Sequence, residues 1–204
     1  VRYAENVQKL DVTPKGDLSG FPDGGDVTYY ARNAMTWCVD NGIINGIDKK
    51  VFNPHSDPAI YKRYDKGHLR GKAACKDALM HDMGLEAAAG VPLVAMVTRM
   101  TRQKGFDLGE GVLDEMMAFD IRFLLLGSGD GEYEGFMRAA EERHRGRVCA
   151  YIGYNDELSH RIYAGADMLL MPSLFEPCGL SQMIAMRYGT LPIVRETGGL
   201  KDSI

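Results

Sequence analysis

Five short apolar runs mark the chain from residue 93 onward, and none of them alternates apolar with polar residues. They cover 93–98, 121–126, 148–152, 168–171 and 191–194. Glycine or proline follows each: Gly105 a few residues on, Gly127-Ser128-Gly129, Gly153, Pro172 and Gly198-Gly199. A strand without alternation offers no polar face to water, so it needs cover on both sides, as in a parallel sheet flanked by helices. Segments of helical spacing lie between the runs, at 106–117, 133–143, 156–164 and 179–188, and another at 69–83 closes on Gly84. With right-handed crossovers, this rhythm predicts an α/β fold with a doubly wound, Rossmann-like parallel sheet.

The remaining chain is less regular. Residues 43–48 read as a short apolar strand broken by an Asn-Gly turn, and 52–58 as a loop. Residues 13–26 carry Pro14, Gly16, Gly20, Pro22, Gly24 and Gly25, which is loop chemistry. Residues 1–41 resist assignment, a remnant of a preceding domain being one reading of them. The absence of an initiator Met is read as a start inside a longer protein. At 45% hydrophobic and 25% charged, the 204 residues can bury a core. A net charge of −4 gives no bulk attraction to nucleic acid or to an anionic membrane, so neither is an expected partner. Cys38, Cys75, Cys149 and Cys178 form no CxxC pair and are read as reduced thiols. No metal site and no cofactor is expected.

Ligands of open parallel sheets bind beyond the carboxyl ends of the strands. Arg99 and Lys104 follow the first run, just before a helix, where a guanidinium fork and an ammonium can receive a diphosphate, or they are two solvated charges at a loop tip. Glu176 follows the fourth run. Its carboxylate can accept hydrogen bonds from sugar hydroxyls, or it merely favours the helix dipole behind it. Gly179 would let a ligand approach the backbone there. Gly127-Ser128-Gly129 lacks the third glycine of a dinucleotide fingerprint, since Glu132 stands in that place, and reads as a tight turn. Tyr154 can stack on a base or simply pack. The five histidines form no cluster and read as surface or polar-face residues, and Met96, Met100, Met168 and Met171 as core filling.

Several longer strings are more specific. Phe175-Glu176-Pro177-Cys178-Gly179-Leu180-Ser181-Gln182, then Arg187-Tyr188-Gly189-Thr190-Leu191-Pro192 and Thr197-Gly198-Gly199-Leu200, closely resemble the bacterial glycogen synthase and plant starch synthase family. So do Asn45-Gly46-Ile47-Asp48 with Asn53-Pro54, Arg99 with Gln103-Lys104-Gly105, Leu126-Gly127-Ser128-Gly129 and Ile152-Gly153-Tyr154. These strings run in family order over about four fifths of the chain.

The resemblance implies the C-terminal half of a GT-B glycosyltransferase, with 42–204 as a nucleotide-sugar-binding Rossmann-like domain truncated at its C-terminus. It implies retaining transfer of glucose from ADP-glucose to the non-reducing end of an α-1,4-glucan, in a bacterial cytoplasm or a plastid. The implied partners are the ADP-glucose donor, the α-1,4-glucan acceptor and an N-terminal GT-B domain missing here, so the fragment alone is expected to be inactive. By position, Arg99 and Lys104 are implied to bind the diphosphate and Glu176 the donor glucose. Cys178, Gly179 and Leu180 would hold sugar and phosphate through their backbone, Tyr154 would contact adenine, and Thr197, Gly198 and Gly199 would lie near the phosphate. Two positions depart from related enzymes: Leu174 replaces a common arginine, and Ile184 stands where many relatives carry a second glutamate. A UDP-sugar-dependent GT-B enzyme and a non-catalytic nucleotide- or carbohydrate-binding module are the alternatives.

Overall fold

The computed structural model describes residues 47–87 and 89–204. The segment 1–41, Cys38 and residues 43–46 of the short strand expected at 43–48 lie outside the described residues. After turns at 49–68, helix α1 spans Arg70–Asp82, and strand β1 is Leu93–Val97. Two 3-10 turns, Arg102–Lys104 and Phe106–Leu108, lead into α2, Gly109–Met116. Then come β2 (Arg122–Gly127), α3 (Gly131–Arg143), β3 (Val148–Ile152), α4 (Asp156–Gly165), β4 (Met168–Met171), α5 (Ser181–Arg187), β5 (Leu191–Val194) and α6 (Gly198–Ser203).

All strand pairs are parallel, in the order β3-β2-β1-β4-β5. The chain therefore winds outward from β1 in one direction, then returns to start again at β4. The expected doubly wound Rossmann-like sheet is the one observed, with its topological switch between β1 and β4.

Side-chain alternation along the strands divides the core in two. Val94, Met96, Phe123, Leu125 and Val148 face one side, where Leu113 of α2, Met117 just after it, and Met137 and Ala140 of α3 pack. Leu93, Ala95, Leu124 and Leu169 point the other way and are fully buried, with α4 against β1 and α5 against β4 and β5. Burying each of these leucines stabilises the fold by about 1.5–3 kcal/mol.

Helix α1 packs on α4 and is pinned by two lysines. Lys76 Nζ pairs with Asp167 Oδ2 at 2.6 Å, and the same oxygen accepts Leu93 N–H at 2.7 Å, which ties α1 to the amino ends of β1 and β4. Lys72 Nζ donates to Ala164 O, Ala166 O and Thr190 Oγ1 at 3.1, 2.9 and 2.8 Å.

Several local expectations are corrected. The helix expected at 106–117 begins as 3-10 turns, and that expected at 179–188 begins at Ser181, because Gly179 stands at φ +67° and cannot be its first turn. Helix α6 has no counterpart among the helical segments read from spacing. The Gly127-Ser128-Gly129 string is not a tight turn. Met100 N–H donates to Ser128 O and Asp130 N–H to Met100 O, both at 2.9 Å, so the β1–β2 pairing continues past the strand ends. A Cβ on Gly127 would lie 1.9 Å from Thr98 O, and one on Gly129 2.1 Å from Met100 O.

His160 is buried, contrary to the surface reading. Its Nδ1 meets Asp57 Oδ2 at 2.7 Å, Tyr188 hydroxyl donates to the same oxygen, and Phe52 stacks on the ring. Cover on both faces holds for β1 and β2 but not for β5, whose Leu191 and Ile193 are exposed.

Candidate functional site

The loops that leave the carboxyl ends of β1 and β4 enclose a cavity of about 230 Å³ at the switch point. Its floor is Met96, Val97, Leu170 and Met171, and its polar wall is Thr98, Arg99, Lys104, Ser173 and Ser181. A second cavity, of about 320 Å³, shares Val97, Thr98 and Arg99 with the first and extends to Ser128, Tyr154, Asn155 and Ser159 beyond β2 and β3. Arg99 thus stands at the junction of the two. It is exposed, and its guanidinium makes no ion pair among the described residues.

Lys104 sits in the 3-10 turn that follows β1, and its ammonium forms an ion pair with Glu176 Oε2. Both side chains are mostly buried. Ser173 hydroxyl also reaches Glu176 Oε2, at 3.4 Å, while Oε1 has no protein partner among the described residues. The dipole-only reading of Glu176 is therefore corrected: the carboxylate faces a lysine from a loop 72 residues earlier. An ammonium has three donors, so Lys104 can serve Glu176 and still address an anion in the cavity.

The two loops are stitched together through the backbone and side chain of Gln103. Leu174 N–H donates to Gln103 O at 2.9 Å, and Gln103 Nε2 donates to Phe175 O at 3.2 Å. A third loop closes from β5. Thr197 hydroxyl reaches Leu174 O at 3.4 Å, and Gly199 N–H donates to Glu176 O at 2.8 Å. A Cβ on Gly198 would stand 2.5 Å from Glu176 O, and one on Gly199 2.6 Å from Cys178 O. Cys178 and Leu180, in the loop after β4, are exposed.

The structure therefore gathers Arg99, Lys104, Glu176, Cys178, Gly179, Leu180, Thr197, Gly198 and Gly199 at one rim of the sheet. Tyr154 lies at the far end of the second cavity, 87% exposed, with its hydroxyl 3.4 Å from Asp156 Oδ1. Asn155 beside it caps α4 by accepting Leu158 N–H at 2.9 Å. Among the described residues no three His, Cys, Asp or Glu side chains group to hold a metal ion.

Sequence reasoning gave no role to Thr98, Ser173, Ser181, Tyr163 or Gln182. Tyr163 lines the second cavity and donates to Ser181 Oγ at 3.2 Å; burial raises its phenol pKa, so it stays a neutral donor. Single hydroxyls at strand ends carry no motif, and only the placement of Gln182 within a family-like string could have drawn attention to it.

Residues 84–204 match the family model described as Glycosyl transferases group 1, and residues 20–57 match the S-layer homology domain. The second match overlaps Asn45-Gly46-Ile47-Asp48 and Asn53-Pro54. The chain is 51% identical over 164 residues to a glycogen synthase of Bacillus cereus, and 53% identical over 163 residues to one of Geobacillus thermodenitrificans. Each comparison covers 80% of this chain, which spans 34% of the length of these curated relatives. Among solved structures, the catalytic domain of starch synthase IV from Arabidopsis thaliana, bound to ADP and acarbose, superposes with a TM-score of 0.74 at 36% identity. That comparison covers 87% of this chain and 38% of the other. A sucrose-phosphate synthase from Thermosynechococcus elongatus, 24% identical with a TM-score of 0.54 over 76% of this chain and 35% of that one, shares the fold.

Proposed function

The chain belongs to the group 1 glycosyl transferases, and from that premise we propose that it is the donor-binding part of a retaining glucosyltransferase that takes glucose from ADP-glucose and adds it to the non-reducing end of an α-1,4-glucan. The observation that carries this reading is the Lys104–Glu176 pair beside Arg99 at the switch-point cavity. One side offers cations to a diphosphate, and the other offers carboxylate oxygen Oε1 to sugar hydroxyls. The ADP-bound starch synthase supports adenosine as the nucleoside.

Cleaving the bond between glucose and diphosphate builds positive charge on the anomeric carbon and negative charge on the leaving oxygen. Arg99 and the free donors of Lys104 would stabilise that oxygen, in a cavity whose apolar floor weakens solvent screening. Glu176 would orient the sugar ring, and Tyr154 would border the adenine at the outer end of the second cavity. Thr197, Gly198 and Gly199 would hold the phosphate side of the mouth. The acceptor and the other side of the cleft would lie in the length of its relatives that this chain does not span. A bacterial cytoplasm or a plastid is the compartment consistent with this chemistry.

Calorimetric titration of the chain with ADP, ADP-glucose and UDP-glucose tests the assignment. ADP and ADP-glucose are expected to bind and UDP-glucose to bind more weakly. Equal affinities for the adenosine and uridine ligands would defeat the donor assignment.

A further inference from the structure

The loop from Glu176 to Leu180 is organised by a side chain that touches no cavity. Gln182, in the first turn of α5, is fully buried. Its Nε2 donates to Cys178 O and Gly179 O, each at 3.0 Å, and lies 2.9 Å from Ser203 Oγ. Ser203 hydroxyl in turn donates to Gly199 O at 2.6 Å, so it faces Gln182 as an acceptor, and the two N–H bonds of the carboxamide are shared among three oxygens. Two carbonyls on one side of the carboxamide require the nitrogen there, which settles the amide orientation. Its Oε1 is buried without a hydrogen-bond partner and lies against Gly179, where a Cβ would stand only 2.5 Å from it. An unpaired buried acceptor is costly, and the structure keeps it in order to place the nitrogen.

In a trans peptide the N–H points opposite to the C=O. With the carbonyls of Cys178 and Gly179 both turned to Gln182, the N–H groups of Gly179 and Leu180 turn away from it, in a loop whose Cys178 and Leu180 are exposed. Neither N–H meets a protein acceptor among the described residues. We propose that Gln182 is the positioning residue of the site, which holds two adjacent backbone N–H groups in readiness for an oxygen anion of the bound donor. The inference rests on the donor-binding reading above and adds to it the part that aims the backbone. It also gives α6 a purpose, since Ser203 and Gly199 brace the same loop from behind.

The experiment uses the isotope-labelled 204-residue chain with ADP as the probe. In the unaltered protein, Gly179 and Leu180 amide hydrogens should exchange rapidly without ADP and become protected at saturation, while the Gln182 carboxamide hydrogens stay protected throughout. Gln182→Met keeps the shape and removes the donors. ADP affinity should fall at least tenfold and the ADP-induced protection of Gly179 and Leu180 should vanish, with the rest of the amide spectrum retained. Ser203→Ala, which leaves both carbonyl contacts in place, should cost less than threefold. Should ADP bind the unaltered chain without protecting Gly179 and Leu180, or bind Gln182→Met equally well, the positioning role is overturned and donor binding survives. An unaltered chain that binds no ADP at saturating concentrations overturns both.

Discussion

Lys104 and Glu176 illustrate how one residue can carry a structural and a chemical burden together. The pair is mostly buried, so truncating Lys104 strips a partner from a carboxylate that water reaches poorly. Lys104→Ala is expected to lower unfolding stability by about 1–3 kcal/mol and to weaken ADP binding by a similar amount, the range for a hydrogen bond to a charged group. The double variant Lys104→Met/Glu176→Gln removes the stranded charge. It should recover most of the stability in urea unfolding and none of the affinity. Recovery of both would assign Lys104 to the fold alone. Arg99 carries no such double duty: among the described residues it has no ion pair to lose, so Arg99→Ala should reduce ADP binding with stability unchanged within about 0.5 kcal/mol.

Among the elements, the junction of β1 and β2 is the most tightly constrained. The two backbones continue to pair as far as Met100 and Gly129, and no side chain fits between them. Gly129→Ala would press a methyl group onto the backbone of Met100, which cannot rotate away as a side chain can. The expected loss is on the order of 3 kcal/mol, together with a displaced 98–100 loop and weaker ADP binding. Gly135, exposed on α3, makes the contrast: an added Cβ there meets nothing within 4 Å. Gly135→Ala should therefore raise stability by about 0.5–1 kcal/mol through helix propensity. Thermal unfolding of the two variants against the parent decides both, and similar effects from both would contradict this account of the junction.

At the scale of the whole molecule, buried ionisable groups make the fold sensitive to alkaline pH in opposing senses. Burial lowers the pKa of Lys72, which bridges α1 to the end of α4 and the start of β5, from 10.5 to about 8. Between those values the folded chain has released a proton that the unfolded chain still holds, so this group makes stability rise with pH. Below pH 8 both forms are protonated and the contribution is flat. Cys149 behaves oppositely. Burial first, and Glu141 second, raise its pKa from 9.0 to about 12, so its contribution is complete below pH 9 and is lost as pH climbs toward 12. Subtracting the stability curve of Lys72→Met from that of the parent should leave a rise between pH 8 and 10.5, on the order of 3 kcal/mol at about 1.4 kcal/mol per pKa unit. A flat difference across that window would show that the ammonium is as well solvated by its three oxygens as by water.

The sequence alone determined the layers. Unalternating apolar runs and their glycine and proline stops are read over a few residues, and the structure reproduces three of the five strands without change, at Val148–Ile152, Met168–Met171 and Leu191–Val194. The family-like strings likewise marked loops that all leave the same edge of a parallel sheet, where we propose that the donor binds. Tertiary structure decided what depends on residues far apart in the chain. It paired Lys104 with Glu176, buried His160 against Asp57, made the Gly127-Ser128-Gly129 string a backbone contact in place of a turn, and set Gln182 behind two carbonyls. Spacing along the chain encodes periodicity and turns, because those arise between neighbours. It does not encode which donor meets which acceptor once the sheet has wound up, because that depends on the register of parallel strands joined by long crossovers.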